Sequence, residues 1–160
     1  MLRALARAAF VILALAASQA GAQPLLKSAI QVDPGNTKPV GQTFGYRLTY
    51  NCSSTSGPCL GAEVVDLLPA EVESVSTVPA SPTGDVAAIT VTPNYMGTGR
   101  TRVRFQLINP LPAGNSGDLI INVRFPNGST ADGTQAINTA DGINLGASPG
   151  TFTTPPVTVT

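Results

Sequence analysis

In the run Gly41-Gln-Thr-Phe-Gly-Tyr-Arg-Leu-Thr-Tyr50, the large residues Phe44, Tyr46, Leu48 and Tyr50 alternate with small or polar ones. A period of two places one face of an extended strand in a core and the other toward solvent. A second apolar run, Val64-Val-Asp-Leu-Leu68, stops at Pro69, which has no N–H to continue a sheet ladder. The same alternation recurs along the chain. Strands are expected over Leu25 to Val32, Gln42 to Cys52, Gly61 to Leu67, Glu71 to Val78 and Val86 to Thr92. Further strands are expected over Thr101 to Ile108, Leu119 to Phe125, Ala136 to Ile143 and Thr151 to Thr160. Between them lie turn-forming stretches: Asp33-Pro-Gly-Asn36, Ala80-Ser-Pro-Thr-Gly84, Tyr95-Met-Gly-Thr-Gly99, Asn109-Pro-Leu-Pro-Ala-Gly-Asn115 and Asn127-Gly128.

About seven to nine short strands, spaced by about ten residues and separated by turn signals, predict an all-β, immunoglobulin-like antiparallel sandwich. A closed barrel has the same periodicity and stays open as an alternative. Strand parity predicts the core: Phe44 or Tyr46, Leu48, Val103, Phe105, Leu107, Ile121, Val123 and Phe125 inside, with Arg100, Arg102 and Arg104 outside.

Residues 1–22 read as an export signal: Arg3 and Arg7, an apolar stretch from Ala8 to Ala17, and the small residues Ala20-Gly-Ala22 before a mature start at Gln23. The apolar stretch is shorter than the roughly 20 residues a bilayer span needs, so no membrane association is expected after cleavage. Residues 23–160 are then one domain, and the β-prone ending Val157-Thr-Val-Thr160 suggests the front of a longer protein. Cleavage removes two of nine basic residues and none of the nine acidic ones, so seven minus nine gives a net charge of −2. That balance does not suit nucleic-acid binding, which relies on clustered Lys and Arg.

Cys52 and Cys59 are the two cysteines, and they bracket the turn-rich segment Ser-Ser-Thr-Ser-Gly-Pro. In an exported chain such a pair reads as a disulfide. Histidine is absent, which removes Ser-His-Asp and Cys-His catalysis. Glu63, Asp66, Glu71 and Glu73 could supply a carboxylate pair for glycoside chemistry, but charges at strand edges more often only keep an edge solvated. Arg100, Arg102 and Arg104 form a ladder that would suit an anionic polymer such as an envelope glycan or extracellular polysaccharide. Cross-strand pairing with acids is the commoner use. Asn51-Cys-Ser53 and Asn127-Gly-Ser129 match a glycosylation sequon without further support. The polar segment from Asn127 to Asp132 lacks the acidic density of a calcium loop, and no metal or cofactor is expected.

The ordered motifs Gly41-Gln-x-Phe-x-Tyr-x-Leu-x-Tyr50, Val64-Val-Asp-Leu-Leu-Pro-Ala70, Leu111-Pro-Ala-Gly-x-Ser-Gly117 and Asn138-x-Ala140 resemble the bacterial surface "conserved repeat" domain, domain of unknown function eleven. The similarity runs roughly from Leu25 to Leu145 and is present in one copy. It implies an immunoglobulin-like sandwich in secreted or cell-surface proteins. Surface sandwiches of this general kind can lock their first and last strands by a Lys–Asn isopeptide bond assisted by a buried acid. The matching residues here are Lys27, Asp66 and Asn138. Burial would favour a neutral lysine nucleophile and a protonated carboxyl that polarises the asparagine amide and relays protons. The functional expectation is a secreted, non-catalytic structural or adhesive module. The alternative is a carbohydrate-binding accessory module, which needs an exposed aromatic platform built from Tyr46, Tyr50 and Tyr95.

Overall fold

The computed structural model describes residues 24–81, 83–128, 130–146 and 151–160, with backbone alone at 77–81 and 83. The export segment 1–22 and Ser129 of the second sequon lie outside the described residues. Strands form at β1 (Leu25–Ile30), β2 (Thr37–Lys38), β3 (Thr43–Asn51), β4 (Glu63–Leu68), β5 (Glu73–Ser81) and β6 (Val86–Thr92). They continue with β7 (Thr101–Leu107), β8 (Ser116–Arg124), β9 (Gln135–Ala136), β10 (Thr139–Ile143), β11 (Thr151–Thr153) and β12 (Val157–Val159).

Two open sheets face one another, in the orders β1-β3-β8-β5 and β11-β10-β4-β7-β6, with a small β2-β12-β9 sheet at the end. The open sheet edges make this a sandwich rather than a closed barrel. Pairing within both large sheets is antiparallel, while the short β2–β12 pair is parallel.

Parity builds the core. Phe44, Tyr46, Leu48 and Tyr50 from β3 face Val103, Phe105 and Leu107 from β7, and all are buried with Ile121, Val123 and Phe125. Phe44 packs against Tyr46 edge-on and against Phe125, with ring centroids 5.6 and 5.4 Å apart. Gly142 on β10 shows how close the layers come. A Cβ there would lie 2.9 Å from Leu145 Cδ1 and 3.4 Å from Leu25 Cβ, so the small residue lets Leu25 of β1 sit down on β10.

Three details differ from the sequence expectation. The stretch from Ala80 to Gly84 is not all loop, because β5 runs to Ser81 and a single 3-10 turn follows at Thr83–Asp85. An edge position and register shifts at Ser74/Ser76 and Pro79/Ser81 let β5 carry Pro79. The expected strand from Ala136 to Ile143 splits between β9 and β10, which lie in different sheets, leaving Asn138 at the crossing. The expected strand from Thr151 to Thr160 also divides, at Pro155-Pro156, where two residues without N–H groups end the ladder. Among the described residues, no helix is long and apolar enough to cross a membrane.

Candidate functional site

Lys27 sits in β1 opposite Leu48, so its side chain points between the sheets with the core row of β3. Asp66 takes the inward parity of β4, between Val64 and Leu68, and all three are fully buried. Asn138 immediately precedes β10 and shares the inward parity of Ala140. Lys27 Nζ donates to Asp66 Oδ2 at 2.7 Å, and Asn138 Nδ2 donates to the same oxygen at 3.3 Å. The side chains of Lys27 and Asp66 are 1% and 0% exposed, and Asn138 is 0% exposed. One carboxylate oxygen from one sheet therefore contacts a lysine amine from the other sheet and an asparagine amide from a neighbouring segment.

Burial is the largest influence on both charged groups. It pushes the Lys27 amine down to about 8, against the Asp66 charge and hydrogen bond that hold it up. It pushes the Asp66 carboxyl up, against the opposing pull of Lys27, Asn138 and Arg100. Both shifts run toward the neutral amine and the neutral acid and so weaken the preference for the ion pair. The Lys27 ammonium also lies 5.2 Å from the centroid of the Tyr46 ring, which covers it on the core side.

Four buried side-chain oxygens lack a hydrogen-bond partner among the described residues: Tyr46 OH, Asp66 Oδ1, Asn138 Oδ1 and Thr154 Oγ1. All four belong to this cluster or its immediate neighbours. Thr154 N donates to Asn138 O at 3.0 Å, extending the ladder in which Thr139 pairs with Thr153. Buried polar groups without partners are rare in folded proteins, so their concentration here sets this cluster apart from the rest of the core. The Asp66 carboxyl meets the amide nitrogen of Asn138 rather than its carbonyl oxygen.

The remaining candidate residues lie apart from this cluster. Cys52 and Cys59 are disulfide-bonded, with Cα atoms 5.9 Å apart. Arg104 binds Glu63 through both carboxylate oxygens, and that contact holds the Glu63 carboxyl below its ordinary range. Arg100 turns back onto the carbonyls of Leu67, at 2.7 Å, and Leu68, at 3.4 Å. Arg102 lies over the Tyr95 ring at 5.2 Å. Glu73 pairs with Arg124, and Glu71 is exposed, so the carboxylates proposed as a pair diverge. Tyr46 and Tyr50 are fully buried and form no exposed platform with Tyr95. Among the described residues, no group of three or more Asp, Glu, Cys or His is placed to hold a metal ion.

No protein-family model matches the sequence, and no curated protein matches it. Solved structures do match. The Corynebacterium diphtheriae major pilin SpaA, whose structure points to a modular pilus assembly stabilizing isopeptide bonds, aligns with a TM-score of 0.52 and 21% identity. That alignment covers 79% of this chain and 33% of SpaA. The Bacillus cereus major pilin subunit BcpA aligns with a TM-score of 0.50 and 13% identity, over 84% of this chain and 39% of its own. The C-terminal fragment of the Streptococcus agalactiae major pilin GBS80 gives 0.53 and 12%, over 84% of this chain and 55% of its own. This chain thus spans between a third and just over half of the chains it resembles. At these identities the likeness establishes the fold, an immunoglobulin-like all-β sandwich.

Proposed function

We propose that the chain is a non-catalytic structural module of a bacterial extracellular or envelope protein, and that Lys27 and Asn138 become joined by an intramolecular isopeptide bond. The observation that carries this reading is the fully buried contact of Lys27, Asp66 and Asn138 through one carboxylate oxygen. The pilin-like fold supports the structural part of it.

The reaction balances within these three side chains. Lys27 Nζ passes a proton to Asp66 Oδ2, and the freed amine pair attacks Asn138 Cγ. The tetrahedral adduct loses a proton from Nζ and receives one on Nδ2 through the same Asp66 oxygen. The Cγ–Nδ2 bond breaks, ammonia departs, and an Nζ–Cγ amide remains. Such a bond would tie β1 to the segment entering β10. A pulling force applied outside these two points would pass through the bond and bypass the chain between them.

Intact mass spectrometry of the folded protein tests this. The expected result is a mass lower by one ammonia in the wild type and restored to the full value in Lys27→Ala. An unmodified mass in well-folded wild-type protein would end the reading.

A further inference from the structure

Asp66 Oδ2 serves the two nitrogens of the reaction, which leaves its oxygen unattended. As the amine attacks, the carbonyl electron pair moves onto Asn138 Oδ1, and negative charge develops there in a dry interior. Asn138 Oδ1 has no partner among the described residues. An undonated oxyanion in such a setting would raise the barrier steeply, because buried charge without a donor is costly.

We infer that Thr154 supplies the missing donor, its hydroxyl hydrogen bonding to Asn138 Oδ1 as the oxyanion forms. Thr154 is directly opposite Asn138, since its N–H donates to the Asn138 carbonyl at 3.0 Å in register with the Thr139–Thr153 pair. Directly opposite residues project to the same face with Cβ atoms about 5 Å apart. Thr154 is 2% exposed, and its Oγ1 has no partner among the described residues. A buried hydroxyl donor without an acceptor thus faces a buried acceptor without a donor. Donors of this kind act by matching the oxygen of the tetrahedral adduct rather than that of the ground-state carbonyl, so a contact that closes only as Cγ becomes tetrahedral fits the role. Thr154 then holds Oδ1, Asp66 moves protons between Nζ and Nδ2, and the collapsing pair on Oδ1 expels ammonia.

This inference rests on the cross-linking reading above, and the experiment separates the two. The full chain is made by cell-free synthesis, synthesis is stopped, and intact mass is followed over time for the wild type, Thr154→Val, Thr154→Ala and Thr154→Ser. Wild type and Thr154→Ser should convert at similar rates. Thr154→Val and Thr154→Ala should convert at least about tenfold more slowly, toward the roughly hundredfold loss typical of removing one oxyanion donor. The Lys27→Ala background, which cannot cyclise, supplies the folding control. There Thr154→Val should leave the melting temperature unchanged or raised, because valine removes an unpartnered buried hydroxyl. Wild-type rates in both hydroxyl-free variants would overturn the donor role and leave the cross-link standing. Slower conversion accompanied by a lower melting temperature in the control would assign Thr154 to structure alone. Absence of ammonia loss in the wild type would overturn both readings.

Discussion

The sandwich buries two aspartates, each beside an asparagine, and surrounds them differently. Asp85 closes the 3-10 turn before β6 and is 6% exposed. Its carboxylate accepts from Tyr50 OH at 3.0 Å and from Asn115 Nδ2 at 3.4 Å to each oxygen, and its own carbonyl accepts from Ile108 N at 2.8 Å. Burial, reinforced by the Asp85 hydrogen bond and charge, pushes the Tyr50 phenol up and keeps it a neutral donor. At Asp66 one oxygen takes two nitrogen donors while the other has none among the described residues. A satisfied network pins a loop. A network with unpaired oxygens and a lysine amine whose charge burial disfavours is the arrangement the proposed cross-link requires. The asparagine alone does not distinguish the two places; the amine does.

The largest test compares the asparagines. Asn138→Ala keeps the Lys27–Asp66 pair but removes the electrophile and hence the cross-link. For a closed loop of about 100 residues the chain-entropy model gives about 4.7 kcal/mol, and a loss near that size is expected in guanidinium unfolding. Asn115→Ala removes only long hydrogen bonds and should cost about 1 kcal/mol. Equal, small losses would erase the distinction between the two clusters.

The aspartates sharpen it next. Asp66→Asn keeps the shape but cannot carry a proton between two nitrogens, so conversion should stop; Asp85→Asn should convert at the wild-type rate while losing about 1–3 kcal/mol of stability. The pH dependence follows from counting protons. The reactive pair, neutral Lys27 with protonated Asp66, holds one proton in all, the same number as the ion pair. Its population is therefore flat between the two titrations of the coupled pair. Conversion should fall above about pH 8, where Lys27 loses its proton and none remains for the leaving amine. It should fall again in acid, once Asp66 is protonated while Lys27 stays charged. A rate that rises continuously into alkali would mean Asp66 is not the proton carrier.

The fold was legible because strand parity is a local property. Phe44, Tyr46, Leu48 and Tyr50 announce their face without reference to any partner. Lys27, Asp66 and Asn138 were legible through motifs, and the antiparallel layers do bring them together. Thr154 was not. Its place opposite Asn138 comes from the register of β10 with β11, and no local pattern encodes which threonine of a threonine-rich run lands there. The break at Pro155-Pro156 could have suggested that Thr154 ends one ladder, but not what it faces. Asp85 was missed for a similar reason, since Tyr50 and Asn115 reach it from β3 and from the loop before β8. Partners across sheets are fixed by packing, which sequence periodicity does not describe.

The smallest expected effect lies within one strand. Tyr46 and Tyr50 share the inward face of β3 and are both fully buried, yet Tyr50 OH binds Asp85 while Tyr46 OH has no partner among the described residues. Tyr50→Phe deletes a hydrogen bond and leaves Asp85 short of a donor, so it should cost about 1–1.5 kcal/mol. Tyr46→Phe removes an unpartnered hydroxyl and keeps the ring that covers Lys27, so it should stay within about 0.5 kcal/mol of its parent or exceed it. Both are best measured in the Asn138→Ala background, where no cross-link masks small differences. In the full chain, Tyr46→Phe should also cyclise at the wild-type rate, because the contact to Lys27 is made by the ring face. A clear loss of rate in Tyr46→Phe would mean that its hydroxyl, and not only its ring, takes part in the chemistry at Asp66.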